Sequence, residues 1–193
     1  SEIKKLKISL NEKNTAFTNV RFLPFLLIWG RKIDLQQVSP PNQHMYIGNG
    51  NAEVAMMRTN WVDNKGIYVG VKGGTPSGSH QHMDGGSFVM EANGVRWGKD
   101  FGMENYTTLE TRGVRLWGRT QNSQRWDVFR YKNSSHNTLT INNNKQLIAG
   151  NATITKISNT KKKQAVVTDM TSLYKCDVND LKRAAILGHS KGI

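Results

Sequence analysis

From residue 52 onward the apolar positions come in short runs that alternate with polar ones, and each run closes on a cluster of Gly, Asn, Asp or Ser. That is the pattern of strands with one face on a core and turns between them. It predicts strands over residues 54–60, 67–72, 86–92, 95–99, 138–142, 153–158, 164–169 and 182–187. Asn93-Gly94 is the strongest turn signal, because a two-residue type I′ turn needs positive φ at both central positions. It folds 95–99 back on 88–92. Asn64-Lys65-Gly66 joins the first two strands, and 142–145 and 159–162 are further turns. The fold class expected is mainly β, an antiparallel β-sandwich preceded by a short helical segment.

Before residue 52 the pattern differs. The apolar block 20–29 is interrupted by Pro24, and proline is best tolerated in the first turn of a helix. A short helix over 24–29, stopped near Gly30 and docking on something apolar, is expected. Ser39-Pro40-Pro41 and the cluster 48–51 read as a linker-like passage, so the chain divides into a helical segment, 1–38, and a β domain, 39–193. Residues 101–131 carry Arg, Trp and Tyr without a clean period; long loops inside compact domains are uncommon unless functional.

Composition places the 193 residues among folded proteins, with 37% hydrophobic and 21% charged positions. A formal charge of +13 and a pI near 10.0 add one thing to that picture. Lys and Arg are spread along the chain apart from Lys161-Lys162-Lys163, so the cationic bias belongs to the folded surface. A polyanion is one partner that suits it, either nucleic acid or an acidic polysaccharide. The single cysteine, Cys176, excludes an intrachain disulfide. No secretory signal and no membrane span is visible, and a chain that opens on Ser1 and ends just past a strand reads as an excised piece.

The chemistry concentrates between Ser79 and Asp100. His80 and His82 lie two residues apart, and in an extended segment both imidazoles project to one side. The Asn93-Gly94 hairpin returns Asp100 toward them, and His136 opens a later strand. Two imidazoles and a carboxylate, His82, His136 and Asp100, make a plausible shell for zinc, leaving His80 free for other work. The same set could instead hold a catalytic metal with open positions, as in small β-barrel oxygenases. A His-x-His pair by itself is as well read as two surface-loop imidazoles. Asp84 is a further carboxylate, with turn-making before Gly85-Gly86 as its nearer role. Tyr106, Arg112, Arg115, Arg119, Arg125 and Arg130 crowd the unpatterned region, where solvated charge and packed aromatics explain any single one. Together they could bind carboxylates or sulfates.

The run Ser-His-Gln-His-Met-Asp-Gly-Gly-Ser-Phe-Val-Met-Glu-Ala-Asn-Gly-Val-Arg-Trp-Gly-Lys-Asp from Ser79 to Asp100, with Tyr106, His136-Asn-Thr-Leu-Thr-Ile-Asn and Gln146, resembles the heparinase II/III family of polysaccharide lyases over roughly 54–146. The resemblance implies an α/α toroid followed by a β-sandwich, of which this chain would hold the tail of the toroid and the first part of the sandwich. It implies a structural zinc on His82, Asp100 and His136 and a catalytic His80; within the aromatic and Arg-rich loop, Tyr106, Arg125 and Arg130 are the residues expected to contact substrate. The implied activity is β-elimination on uronate-containing glycans, heparin-like, heparan sulfate-like or alginate-like, by a periplasmic or secreted enzyme. The partners it implies are an acidic polysaccharide and the rest of the toroid, with no membrane, and it ranks nucleic acid lower. Because the toroid supplies the tyrosine acid/base and the group that neutralises the uronate, the chain alone should hold half a site and be inactive. The alternative from a different class is a β-sandwich that binds a polyanion without cleaving it.

Overall fold

The computed structural model describes residues 23–34 and 36–188. The chain falls into two compact units that meet in sequence between Pro41 and Asn42. In the first, helix α1 spans Leu23–Gly30, one residue beyond the expected helix at each end. Phe25 and Trp29, one turn apart, stack with ring centroids 5.0 Å apart, as i and i+4 side chains on a helix do. Phe25, Ile28 and Trp29 are exposed.

The second unit carries two antiparallel sheets. The first has the order β1 (Met45–Gly48), β2 (Val54–Arg58), β3 (Tyr68–Lys72), β4 (Phe88–Ala92), β5 (Val95–Gly98), each strand paired with its sequence neighbour. The second is β6 (Thr153–Asn159), β7 (Lys163–Asp169) and β8 (Lys182–Gly188). Alternation decides which face is covered: on β2, Ala55 and Met57 are buried while Met56 between them is exposed. They meet Met45 of β1, Val71 of β3, Val166 of β7 and Leu187 of β8 in one core. Side chains from both sheets thus share one interior, each large one contributing roughly 1.5–3 kcal/mol on burial. The fold is mainly β, as the pattern predicts. Asn93 and Gly94 have φ of 53° and 75°, the positive values a type I′ turn requires, and Ala92 pairs with Val95 across them.

Three elements differ from expectation. Strand β1 lies where a linker was read; its register, Met45 against Met57, comes from the tertiary partner, which a four-residue run cannot advertise. The strand expected over 138–142 does not form. The Leu139 carbonyl accepts from Asn133 Nδ2 and from the Tyr174 hydroxyl, and Asn142 and Asn143 sit at φ of 51° and 58°, which ends extended backbone. Within 101–131 there is a short helix, α2 (Tyr106–Thr111), capped by Asn105 Oδ1 on the Thr108 N–H at 2.9 Å. Tight 3₁₀ turns follow at Gln124–Asp127, Phe129–Tyr131 and Asn133–Ser135. This segment closes over a second core of Met83, Leu116, Trp126, Tyr131 and Ile148.

Candidate functional site

The loop between β3 and β4 carries His80, His82 and Asp84, and its conformation separates them. The Gln81 N–H donates to the Gly78 carbonyl at 3.3 Å, and His80 sits at φ 60°, in the left-handed region. A left-handed residue breaks the alternation of an extended segment. The same-side geometry expected of His80 and His82 is therefore lost, and the two rings enter different surroundings.

His82 turns inward. Its ring lies 4.4 Å from that of Tyr131 and 5.4 Å from that of His136. Burial pushes its pKa down to about 4, so the imidazole is neutral across the physiological range. Ligand atoms of His82, Asp84 and His136 all lie within 4.8 Å of one another. Asp100 reaches the opposite nitrogen of His136: Nδ1 and Oδ2 are 2.6 Å apart. Burial alone would raise the Asp100 pKa, but the bonds from His136 and from the Gly102 N–H at 2.7 Å hold it below the usual carboxylate range. If Nδ1 donates its only proton to Asp100, the lone pair of the His136 ring lies on Nε2, an atom that is buried with no hydrogen-bond partner among the described residues. A bare imidazole lone pair beside a neutral imidazole and a carboxylate fits a divalent cation. Asp84 also has a second attachment, accepting from Lys72 Nζ at 2.5 Å, while the same ammonium donates to Gln81 Oε1 at 2.8 Å.

His80 turns outward. Its Nδ1 shares a hydrogen bond of 3.2 Å with the Tyr106 hydroxyl, and the two rings stack at 5.7 Å. Trp117 stands edge-on to both, 5.4 Å from each. The two arginines expected to contact substrate are occupied by the protein. Arg125 is 5% exposed, donates to the carbonyls of Gln81 and Leu116, and lies over the Tyr131 ring at 4.5 Å. Arg130 pairs with Glu104 at 3.0 Å and donates to the carbonyls of Phe101 and Met103. Arg125 thus fixes the peptide between the two histidines, and Arg130 fixes the segment after Asp100.

Residues 51–183 match the family described as Heparinase II/III-like, C-terminal. The chain belongs to the heparinase II/III-like C-terminal family. No curated protein matches it by sequence. Its fold is similar to solved structures described as heparinase III, with TM-score 0.61 and 16% identity over 90% of this chain and 26% of that one. A heparan sulfate lyase HepC mutant from Pedobacter heparinus gives TM-score 0.56 and 18% identity over 88% of this chain and 23% of that one. HepC from the same organism gives 0.54 and 16% over 91% and 24%. The heparinase II/III-like chain spans about a quarter of the length of these structures.

Two contributors to this heparinase-like site had no assigned role in the sequence. Gln146, fully buried, grips the Gly85 peptide from both sides: its Oε1 accepts from the Gly85 N–H at 3.2 Å and its Nε2 donates to the Gly85 carbonyl at 2.9 Å. Thr138 donates to that same carbonyl at 2.7 Å, and Arg183 of β8 donates to the Gly86 carbonyl at 2.7 Å. The loop that carries His82 and Asp84 is thereby pinned from three distant points in sequence. Trp117 is the other. Its nearest signal was membership in an aromatic and Arg-rich region, which does not single it out.

Proposed function

We propose that this chain is the sandwich part of a polysaccharide lyase that cleaves uronate-containing acidic glycans by β-elimination. The observation that carries the reading is the His80–Tyr106 pair. An exposed imidazole and a phenol within hydrogen-bond reach stand near a part-buried histidine pair, in a chain of the heparinase II/III-like family. In the reaction the C5 proton of the uronate leaves, its electrons form the C4–C5 double bond, and the C4–O4 bond breaks as O4 takes a proton. His80 and Tyr106 are suited to one of these two transfers. The other proton carrier and the group that neutralises the uronate carboxylate come from the remainder of the full-length protein, so the chain alone is inactive. The net charge of +13 favours the approach of a polyanion. Full-length protein is expected to release unsaturated uronate products, read by ultraviolet absorbance. Release from none of a panel of heparin, heparan sulfate, hyaluronate and alginate would sink the assignment.

The cation is proposed to be a structural zinc held by His82 and His136 with one carboxylate. Two carboxylates compete for that position: Asp100, which the family resemblance places in the shell, and Asp84, whose carboxylate lies within 4.8 Å of a nitrogen of each ring. Zinc would supply fixed positive charge and hold the two imidazoles; the proton chemistry belongs to His80 and its neighbours. Elemental analysis of Asp84→Asn and Asp100→Asn decides between them. The ligand's removal should strip the metal, and removal of the other should lower its retention roughly 10–100-fold. Retention by both variants at wild-type level would exclude the site.

A polyanion-binding module without catalysis is the second reading, favoured by the charge and by the exposed side chains of Arg112, Arg115 and Arg119, which form no ion pair with the described residues. Competition separates it from nucleic-acid binding: glycan recognition should survive a large excess of single-stranded DNA.

A further inference from the structure

Trp117 is a large side chain that is both fixed and open. Its Nε1 donates to Glu110 Oε1 at 2.8 Å, and its ring stands at 87° to His80 and 84° to Tyr106. Yet the residue is 54% exposed. Packing therefore sets the orientation of the indole without covering it. Trp117 also lines two concavities. One is a small cup of about 20 Å³ that includes His80, Arg119 and Arg125; the other is a cleft of about 520 Å³ that includes Arg115, Thr120, Asn122 and Ser123.

The second concavity has the chemistry of a sugar site. Pyranose C–H groups pack on an aromatic face, and the ring's polar rim then seeks hydrogen bonds and ions at its edge. The side chains of Arg115 and Asn122 hold no hydrogen bond or ion pair among the described residues, so their donors are available. Thr120 and Ser123 are engaged with each other, their hydroxyls 3.1 Å apart, and shape the wall. The carboxylate in the cleft, Glu110, accepts the indole N–H, which leaves Arg115 as the cation facing a ligand. Guanidinium geometry suits a carboxylate or sulfate.

We propose that Trp117 and this cleft form a subsite for an anionic sugar of the same glycan, one or more residues along the chain from the sugar at His80. The choice of ligand rests on the lyase reading above. The subsite itself rests on the indole, the cleft and the unpaired Arg115. It would make affinity depend on chain length, because only oligosaccharides that span from His80 past Trp117 engage both places.

The test is calorimetric binding of a heparin-derived hexasaccharide to the 193-residue chain, with neutral N-acetylglucosamine hexasaccharide as the second probe. Wild type should bind the anionic probe and discriminate against the neutral one. Trp117→Ala should weaken binding about tenfold. Trp117→Phe, which keeps a ring, should weaken it only about threefold and guards against a folding defect in the alanine variant. Arg115→Gln should lower the salt dependence by about one counterion, whereas Lys161→Gln on the β6–β7 turn should leave the Trp117-dependent part unchanged. Equal binding by wild type and both Trp117 variants, equal affinity for the neutral probe, or no binding by wild type overturns the subsite. Lyase products from the full-length protein with KM unaffected by Trp117→Ala would leave the lyase reading standing and remove the subsite. Trp117-dependent binding without any unsaturated product would do the reverse.

Discussion

The two halves of the loop between β3 and β4 differ in what holds them. From Gln81 to Gly86 the chain is gripped at nearly every peptide: Arg125 on the Gln81 carbonyl, Gln146 and Thr138 on Gly85, Arg183 on Gly86. From Gly78 to His80 the hold is one long turn bond and one side-chain bond to Tyr106. The histidine in the gripped half is neutral, half-buried and beside another imidazole; the one in the loose half is at positive φ, open to solvent and next to a phenol. On the proposed reading, the half that holds a cation needs rigidity, and the half that exchanges protons with a polymer needs access. Two residues of sequence separate the two requirements.

The largest test of that contrast exchanges the histidines. His82→Ala or His136→Ala should reduce the metal from about one per chain to none and lower the melting temperature of zinc-loaded protein by roughly 10 °C or more. His80→Ala should leave both unchanged while reducing turnover of the full-length enzyme by about 10²–10⁴-fold. If His80→Ala strips the metal and His82→Ala does not, the roles are reversed.

Next comes the clamp. Gln146→Ala leaves the buried Gly85 N–H without its partner and removes one donor from its carbonyl, a loss of about 2 kcal/mol, or roughly 4–8 °C in melting temperature. Because the loop also carries His82 and Asp84, zinc retention against a chelator should fall although no ligand has been removed. Unchanged retention would show that the grip is not what positions the ligands.

A smaller effect distinguishes the halves by pH. In metal-free protein His82 titrates near 4 when folded and near 6.5 when unfolded, so between those values the unfolded chain binds more protons. Stability should fall as pH drops from about 6.5 to about 4 and level off below that. Melting curves of chelated wild type and His82→Gln across this window should diverge; parallel curves would mean that His82 is solvated. The smallest effect concerns the backbone. His80→Gly relieves a left-handed φ and should not destabilise, shifting stability by less than about 1 kcal/mol in the favourable direction after allowance for chain entropy. A clear loss would mean that the ring itself holds the turn.

What the sequence shows clearly is local. The Asn93-Gly94 turn, the alternating strands and the His-x-His spacing are each written within a few residues. What it hides is set by partners far away. Strand β1 exists because Met45 meets Met57, and 138–142 is not a strand because Asn133 and Tyr174 take its carbonyls. The separation of His80 from His82 depends on one positive φ, uncommon outside glycine, so period-two reasoning had no way to reach it. Arg125 was expected to contact substrate as part of an aromatic and Arg-rich loop, and the sequence does not show what its guanidinium touches within the protein. It donates to two carbonyls and lies over a tyrosine face.

The spacing of the grips also fixes an order in time. His136 reaches the loop 54 residues after His82, and the Arg183 donor to Gly86 is 97 residues beyond its acceptor. During synthesis, at about 5–20 residues per second, the histidine loop would be exposed for several seconds before β8 arrives to lock it. Contacts of such long range also place this region among the slow steps of folding. If the proposed zinc is bound, an ion supplied early would meet His82 without its partner imidazole, and loading is expected to be favoured after the last strand has docked.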